Sequence, residues 1–335
     1  MMAGTAVVTG GSAGIGLATA ERLAKAGWNV AIVARDAQRL EDARAMLSQY
    51  GGQILAISAD VANAVDVDAA ADRIERELGP IDAWVNNAMS TVVAPADRIS
   101  ASEYQRVTAT TYLSQVHGTL AALRYMKPRR RGAIIQVSSG LGIRAVPLQA
   151  AYCAAKFAVS GFTDSLRAEL IADKVPVTLT VVYLPAVNTP QPGWARNHTG
   201  REQVLPDPLF DPRLCAEAIV SAIEKPEREI WVGRSTFQMA IAQALAPGFA
   251  DRQASSFAED QLGGPIGEKP GNLTEPVPGP ARIDGDATDR AIDSRREFFT
   301  SRQRDLFKLG VATSLAGVGA LAGWGVSRLV PTPRR

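Results

Sequence analysis

From Thr5 to about Leu245 the chain repeats one pattern, a short apolar run rich in β-branched residues followed by a longer amphipathic segment. Runs at 5–9, 29–33, 53–58, 83–86, 133–138, 177–183 and 229–232 read as buried strands. Segments at 14–26, 37–50, 64–78, 101–125 and 151–173 read as helices long enough for right-handed crossovers. Strands and helices in strict alternation predict an α/β fold, a doubly wound parallel sheet of about seven strands with helices on both faces.

The bulk properties narrow the function. Thirty-six basic against thirty-four acidic residues leave a net charge of +2, which gives no electrostatic footprint for nucleic acid or a polyanionic substrate. The basic cluster Arg129, Arg130 and Arg131 lies between Pro128 and Gly132 and reads as a solvated loop. Cys153 and Cys215 stand far apart with no partners at metal spacing, so neither a disulfide framework nor a zinc site is expected. The N-terminus lacks the basic and long apolar regions of a signal peptide, and a cytoplasmic location is expected. His117 and His198 are the two histidines, and no nucleophile elbow accompanies either, which argues against a Ser-His-Asp hydrolase.

The character changes after Ala246. Prolines 247, 265, 270, 276, 278 and 280, with many glycines, predict an extended linker over 246–290, laid in part against a catalytic domain of residues 1–245. A helical tail is expected over 291–335, with a charged helix at 289–308 leading into 309–326, a stretch without a charged residue. At about 1.5 Å per residue such a helix nearly crosses a hydrocarbon core of about 30 Å. Gly319 and Gly323 offer a face for close helix approach, and Arg302, Arg304, Lys308, Arg328, Arg334 and Arg335 flank the stretch. Its alanine and glycine content leaves two readings open, membrane attachment or a soluble packing helix.

Directly after the first strand comes Thr9-Gly-Gly-Ser-Ala-Gly-Ile-Gly16, which opens into a helical pattern. A dinucleotide needs a tight turn, backbone close to its pyrophosphate, and a helix N-terminus facing the phosphate charge. Gly10, Gly14 and Gly16 can supply all three, with Ser12 and Ile15 beside them, although the spacing departs from Gly-x-Gly-x-x-Gly. At the end of the second strand, where an acidic residue would hold ribose hydroxyls, stand Ala34 and Arg35. A guanidinium suits a ribose 2′-phosphate, so NADP is expected, with NAD as the alternative through Asp36.

Tyr152 and Lys156 stand one helical turn apart. Six tyrosines and seven lysines make such a pair by chance about 0.13 times per chain, so the pair alone is only suggestive. A phenol has a pKa of about 10, which a nearby ammonium and a cationic nicotinamide ring would lower. Ser139 ends a strand thirteen positions earlier, downstream of the glycine loop.

With Asp60-Val61, Asn86-Asn87-Ala88 and Pro185-Ala-Val-Asn-Thr-Pro190, this set over residues 4–245 resembles the short-chain dehydrogenase/reductase family. The resemblance implies a Rossmann-type fold and a hydride-transferring oxidoreductase that acts on a small-molecule carbonyl or alcohol. It makes Tyr152 the proton donor in reduction, Ser139 the partner of the substrate oxygen, and Lys156 both the modulator of Tyr152 and a ribose ligand. It also places Asp60 and Val61 at the adenine, Asn87 in the cofactor groove and Thr189 near the carboxamide. A homo-oligomer paired through two long central helices is implied as well.

Three positions depart from the family. Met89 and Ala186 replace glycines, and Thr111 stands where an asparagine usually serves a water-mediated proton relay. Trp194, Leu205, Leu209 and Phe210 in a segment over 191–210, with Met89, Leu141, Ile143 and Val146, predict a lipophilic substrate pocket. Thr111 and Met89 motivate a rival from another class, a weakly active cofactor-binding redox sensor or a membrane-tethered scaffold.

Overall fold

The computed structural model describes residues 4–267, 269–294, 297–301, 303 and 306. The first half runs β1 (Thr5–Thr9), α1 (Gly14–Lys25), β2 (Asn29–Ala34), α2 (Ala37–Leu47), β3 (Ile54–Ser58), α3 (Ala64–Glu77) and β4 (Ile81–Asn86). After β5 (Val92–Val93) come α4 (Ala101–Thr108), a wide π turn (Ala109–Leu113), α5 (Ser114–Arg129), β6 (Ala133–Ser139) and α6 (Ala150–Ala172). The rest follows as β7 (Thr178–Leu184), α7 (Gln191–Trp194), β8 (Arg196–Asn197), β9 (Arg201–Gln203), α8 (Pro212–Glu224) and β10 (Glu229–Val232). It closes with α9 (Arg234–Leu245), α10 (Pro247–Asp260), β11 (Leu262–Pro265) and β12 (Phe298–Thr300).

The main sheet has the order β3-β2-β1-β4-β6-β7-β10-β12, parallel throughout except for β12, which pairs antiparallel with β10. The seven expected strands are all present. Their side chains are buried on both faces: α1, α2 and α8 cover one, packing Leu17, Leu40 and Ile219 against Val8 and Ile32. On the other, α3, α5 and α6 pack Ile74, Met126 and Leu166 against Val7 and Trp84. The chain builds β1 to β3 outward and then returns to place β4 on the other side of β1. That reversal opens a crevice beyond the carboxyl ends of β1 and β4, the place where such sheets bind ligands.

Three expectations are corrected. The helix expected at 101–125 is interrupted by the π turn. The segment expected as a linker over 246–290 contains α10, because Pro247 sits at its first turn, where a missing N–H costs nothing. Of the charged helix expected over 289–308, the first part is instead a 3-10 turn (Thr288–Arg290) followed by β12, while the described residues Ser301, Gln303 and Leu306 are helical. Strand β12 covers the edge of β10, and Phe299 stacks on Phe237 at 4.9 Å between ring centres beside Trp231. No helix among the described residues is long and apolar enough to cross a membrane, and the apolar stretch 309–326 lies outside them.

Candidate active site

A cavity of about 790 Å3 runs from the crevice toward α9 and α10. Every candidate site residue from the sequence lines it except Thr111. Its cofactor half is built on the loop after β1. Gly10 and Gly14 take positive φ (68° and 54°), and a Cβ on Gly16 would lie 2.1 Å from the Gly10 carbonyl oxygen. Asn87 braces this loop: its Nδ2 donates to Thr9 O at 2.9 Å, while its N–H donates to Thr9 Oγ1 at 3.0 Å. Ser12 and Ile15 line the floor, and the Thr189 side chain lies about 3.4 Å from where a Gly14 Cβ would be. This bare backbone cradle at a helix N-terminus fits a dinucleotide pyrophosphate.

Asp60 and Val61 line the same cavity beyond the glycine loop. Asp60 accepts from the Ala62 N–H and from Arg106 Nη2 at 2.7 Å, and the Val61 carbonyl lies 3.1 Å from His117 Nδ1. Arg35 leaves the end of β2 and reaches the cavity wall. Burial, and next the charge of Arg106, lower its pKa. Asp36, the alternative ribose ligand, caps α2 by accepting the Arg39 N–H at 3.0 Å and pairs with the Arg39 guanidinium. Among the described residues the Arg35 guanidinium has no such carboxylate partner, and it donates to the carbonyls of Asn272, Leu273 and Thr274.

The catalytic half lies at the carboxyl end of β6. Ser139 ends the strand and its Oγ accepts the Leu141 N–H at 3.1 Å, which fixes the rotamer. Tyr152 is 8% exposed on the first turn of α6, with its hydroxyl toward Ser139. Burial drives the phenol pKa well above its ordinary value, the neighbouring Ser139 hydroxyl lowers it less, and Cys153 adds a small rise. Lys156 is 1% exposed, with its Nζ 2.7 Å from the Val137 carbonyl and 5.6 Å from the Tyr152 ring centre. Burial lowers its pKa to about 7. In the protein alone, burial sets the direction for both groups and pushes each toward its neutral form.

Thr111 is turned out of the cavity. Its hydroxyl donates to Ser90 O at 2.7 Å and accepts the Ser90 N–H at 3.0 Å, so the loop after β4 consumes both capacities. The π turn adds a residue at this level of the helix and presents Thr110 instead. The Thr110 hydroxyl is buried without a partner.

Of the residues expected around a substrate, Met89, Leu141, Val146, Trp194 and Leu205 line the cavity. Ile143, Leu209 and Phe210 are not part of it. Phe210 packs in the main core, and Ile143 lies against the Tyr183–Trp231 cluster. What sequence reasoning missed is the contribution of the C-terminal segment: Met239, Ala242, Ala250, Ala254 and Phe257 from α9 and α10 close the far wall. Within it Gln149 donates to Gln261 at 2.7 Å, and the Gln203 Oε1 is buried without a partner. The available signal was the amphipathic spacing of small and aromatic residues at 239, 242, 250, 254 and 257.

A family model described as short chain dehydrogenase matches residues 4–198. An uncharacterized oxidoreductase, YxnA, from Bacillus subtilis (strain 168) is 33% identical over 248 residues, covering 73% of this chain and 70% of that one. A fatty acyl-CoA reductase from Acinetobacter baylyi is 32% identical over 249 residues, covering 72% and 80%. A solved alcohol dehydrogenase from Thermococcus sibiricus, complexed with 5-hydroxy-NADP, superposes with a TM-score of 0.59 at 24% identity, covering 68% and 95%.

Proposed function

Since the chain belongs to the short-chain dehydrogenase family and is an NAD(P)-dependent oxidoreductase, we propose that it uses NADP(H) and reduces a lipophilic carbonyl, with Tyr152 as proton donor. The observation that carries this reading is the buried Tyr152 beside the half-buried Ser139, both lining the cavity where the glycine cradle meets an apolar wall. When bound, the nicotinamide supplies or accepts the hydride. The protein's part is to hold the substrate oxygen between Ser139 Oγ and Tyr152 Oη and to deliver the phenolic proton to it. A phenol that carries its proton at neutral pH is in the form that a proton donor needs. Lys156, bonded to the Val137 carbonyl, positions the pair and is the residue through which the tyrosine recovers its proton. Thr110 offers that relay the free hydroxyl that Thr111 lacks.

Arg35 without a competing carboxylate supports NADP, and the apolar walls from Met89 to Phe257 support a lipophilic substrate. The name of the fatty acyl-CoA reductase relative points the same way. Leu113, Leu120 and Phe157 are large apolar side chains left exposed on the wide turn, α5 and α6, which supports pairing of two copies through these helices. The saturation of Thr111 by Ser90 favours one rival, a cofactor-binding sensor with little turnover. A carbonyl panel followed by NADPH absorbance tests both. Turnover rising with chain length from short to long aldehydes is expected, turnover confined to small polar carbonyls contradicts the lipophilic reading, and tight NADPH binding without any turnover selects the sensor.

A further inference from the structure

Several donors around the cofactor half of the cavity are held by a single segment of the chain. Arg35 donates to the carbonyls of Asn272 and Thr274 at 2.5 Å each and of Leu273 at 3.4 Å. Arg106 Nε adds a bond to Leu273 O at 2.9 Å. Arg39 donates to Gly279 O at 3.2 Å and to Val277 O. The N–H of Gly14, in the glycine loop itself, donates to Arg282 O at 2.9 Å.

The sequence explains why this segment can do so. Pro276, Pro278 and Pro280 carry no N–H and forbid a helix, so the chain stays extended and its carbonyls find no partner within it. Hydrophobic anchors hold it down: Leu273 packs with Val92, Ile99 and Val107, and Ile283 joins the main core. Its amides are tied as well, Asn272 N–H to Trp194 O at 2.7 Å and Gly285 N–H to Asn188 O at 3.1 Å. Trp194 in turn stacks on the Arg39 guanidinium at 4.5 Å.

Each carbonyl occupies a donor that suits a phosphate oxygen. A phosphate offers a guanidinium full charge–charge attraction and bidentate geometry that a neutral carbonyl lacks, whereas a ribose hydroxyl has no such advantage. Resting on the NADP reading above, we propose that residues 272–287 are a cofactor-selecting strap. Their carbonyls stand in for phosphate on Arg35, Arg39 and Gly14, and a dinucleotide carrying a 2′-phosphate displaces them from the arginines, while one carrying only ribose hydroxyls does not. The apparent NADPH affinity is then reduced by the fraction of molecules in which the strap is docked.

Hydrogen exchange on the full chain, with binding measured by calorimetry, tests the strap. Saturating NADPH is expected to speed exchange of the Asn272 amide at least tenfold, and NADH at equal occupancy to leave it within twofold. A Leu273→Ser, Ile283→Ser double variant loosens the strap without touching a cofactor donor, and is expected to bind NADPH at least fivefold more tightly than wild type. Bound NADPH that slows or fails to change exchange in 272–287 overturns the strap alone, on wild type, whether or not the variant folds. Binding of neither dinucleotide to either protein overturns the cofactor reading and the strap together.

Discussion

Tyr152 and Lys156 illustrate how burial decides what a motif can do. Their spacing puts a phenol and an ammonium on one face of α6, but both are sealed from water and both are pushed toward the neutral form. For Lys156 the sign follows from its lowered value: below about pH 7 the folded protein carries the full penalty of a buried ammonium. Between about 7 and 10.5 the unfolded chain binds the proton and the folded chain does not, so stability rises with pH across that window. Lys156→Met lacks the penalty. Its melting temperature is expected to exceed wild type most below pH 7, with the gap shrinking toward pH 10, and a gap independent of pH contradicts the buried-ammonium account. Neighbouring threonines separate in the same way. Thr111→Val leaves the Ser90 N–H buried and unpaired, which is expected to cost about 1–3 kcal/mol in urea unfolding. Thr110→Val is expected to lower kcat and leave the unfolding midpoint within experimental error. The reverse pattern would return the relay to Thr111.

At the scale of elements, what was legible in the sequence is what local chemistry dictates. The strands from Thr5–Thr9 to Glu229–Val232 were legible because parallel strands buried on both faces must be continuously apolar. The glycine loop was legible because only glycine fits a left-handed turn whose next Cβ would meet a carbonyl oxygen at 2.1 Å. The π turn was not, since Ala109–Leu113 differs from an ordinary helix by one inserted residue and the helical periodicity runs through it. Nor was the segment after Ala246. Its prolines read as interruptions, but Pro247 starts α10, and the later prolines keep an extended chain extended along the cofactor groove. Strand β12 is three residues long, too short for a period of two to register, and it is specified by the aromatic surface of Trp231 and Phe237. Phe299→Ala is therefore expected to cost roughly 1–3 kcal/mol, as for removal of a half-buried aromatic. An unchanged melting curve would show that the edge strand contributes nothing.

For the molecule as a whole, the C-terminal segment and the Rossmann-type body form one functional unit. The far wall of the cavity comes from α9 and α10, and residues of the 272–287 segment bond Arg35, Arg39 and Gly14 along its edge. The exposed apolar side chains of Leu113, Leu120 and Phe157 are the basis of the proposed pairing with a second copy. Light scattering is expected to give twice the chain mass of 35.5 kDa, and Phe157→Glu to return it to one chain. A monomeric wild type would remove the paired-helix reading. The most direct test of the whole account is the steady-state comparison of wild type with Tyr152→Phe, using NADPH and a long-chain aldehyde. The variant keeps the ring and loses only the proton, so kcat/KM is expected to fall about 10²–10⁴-fold with NADPH affinity within twofold. Turnover by Tyr152→Phe at the wild-type rate would contradict it.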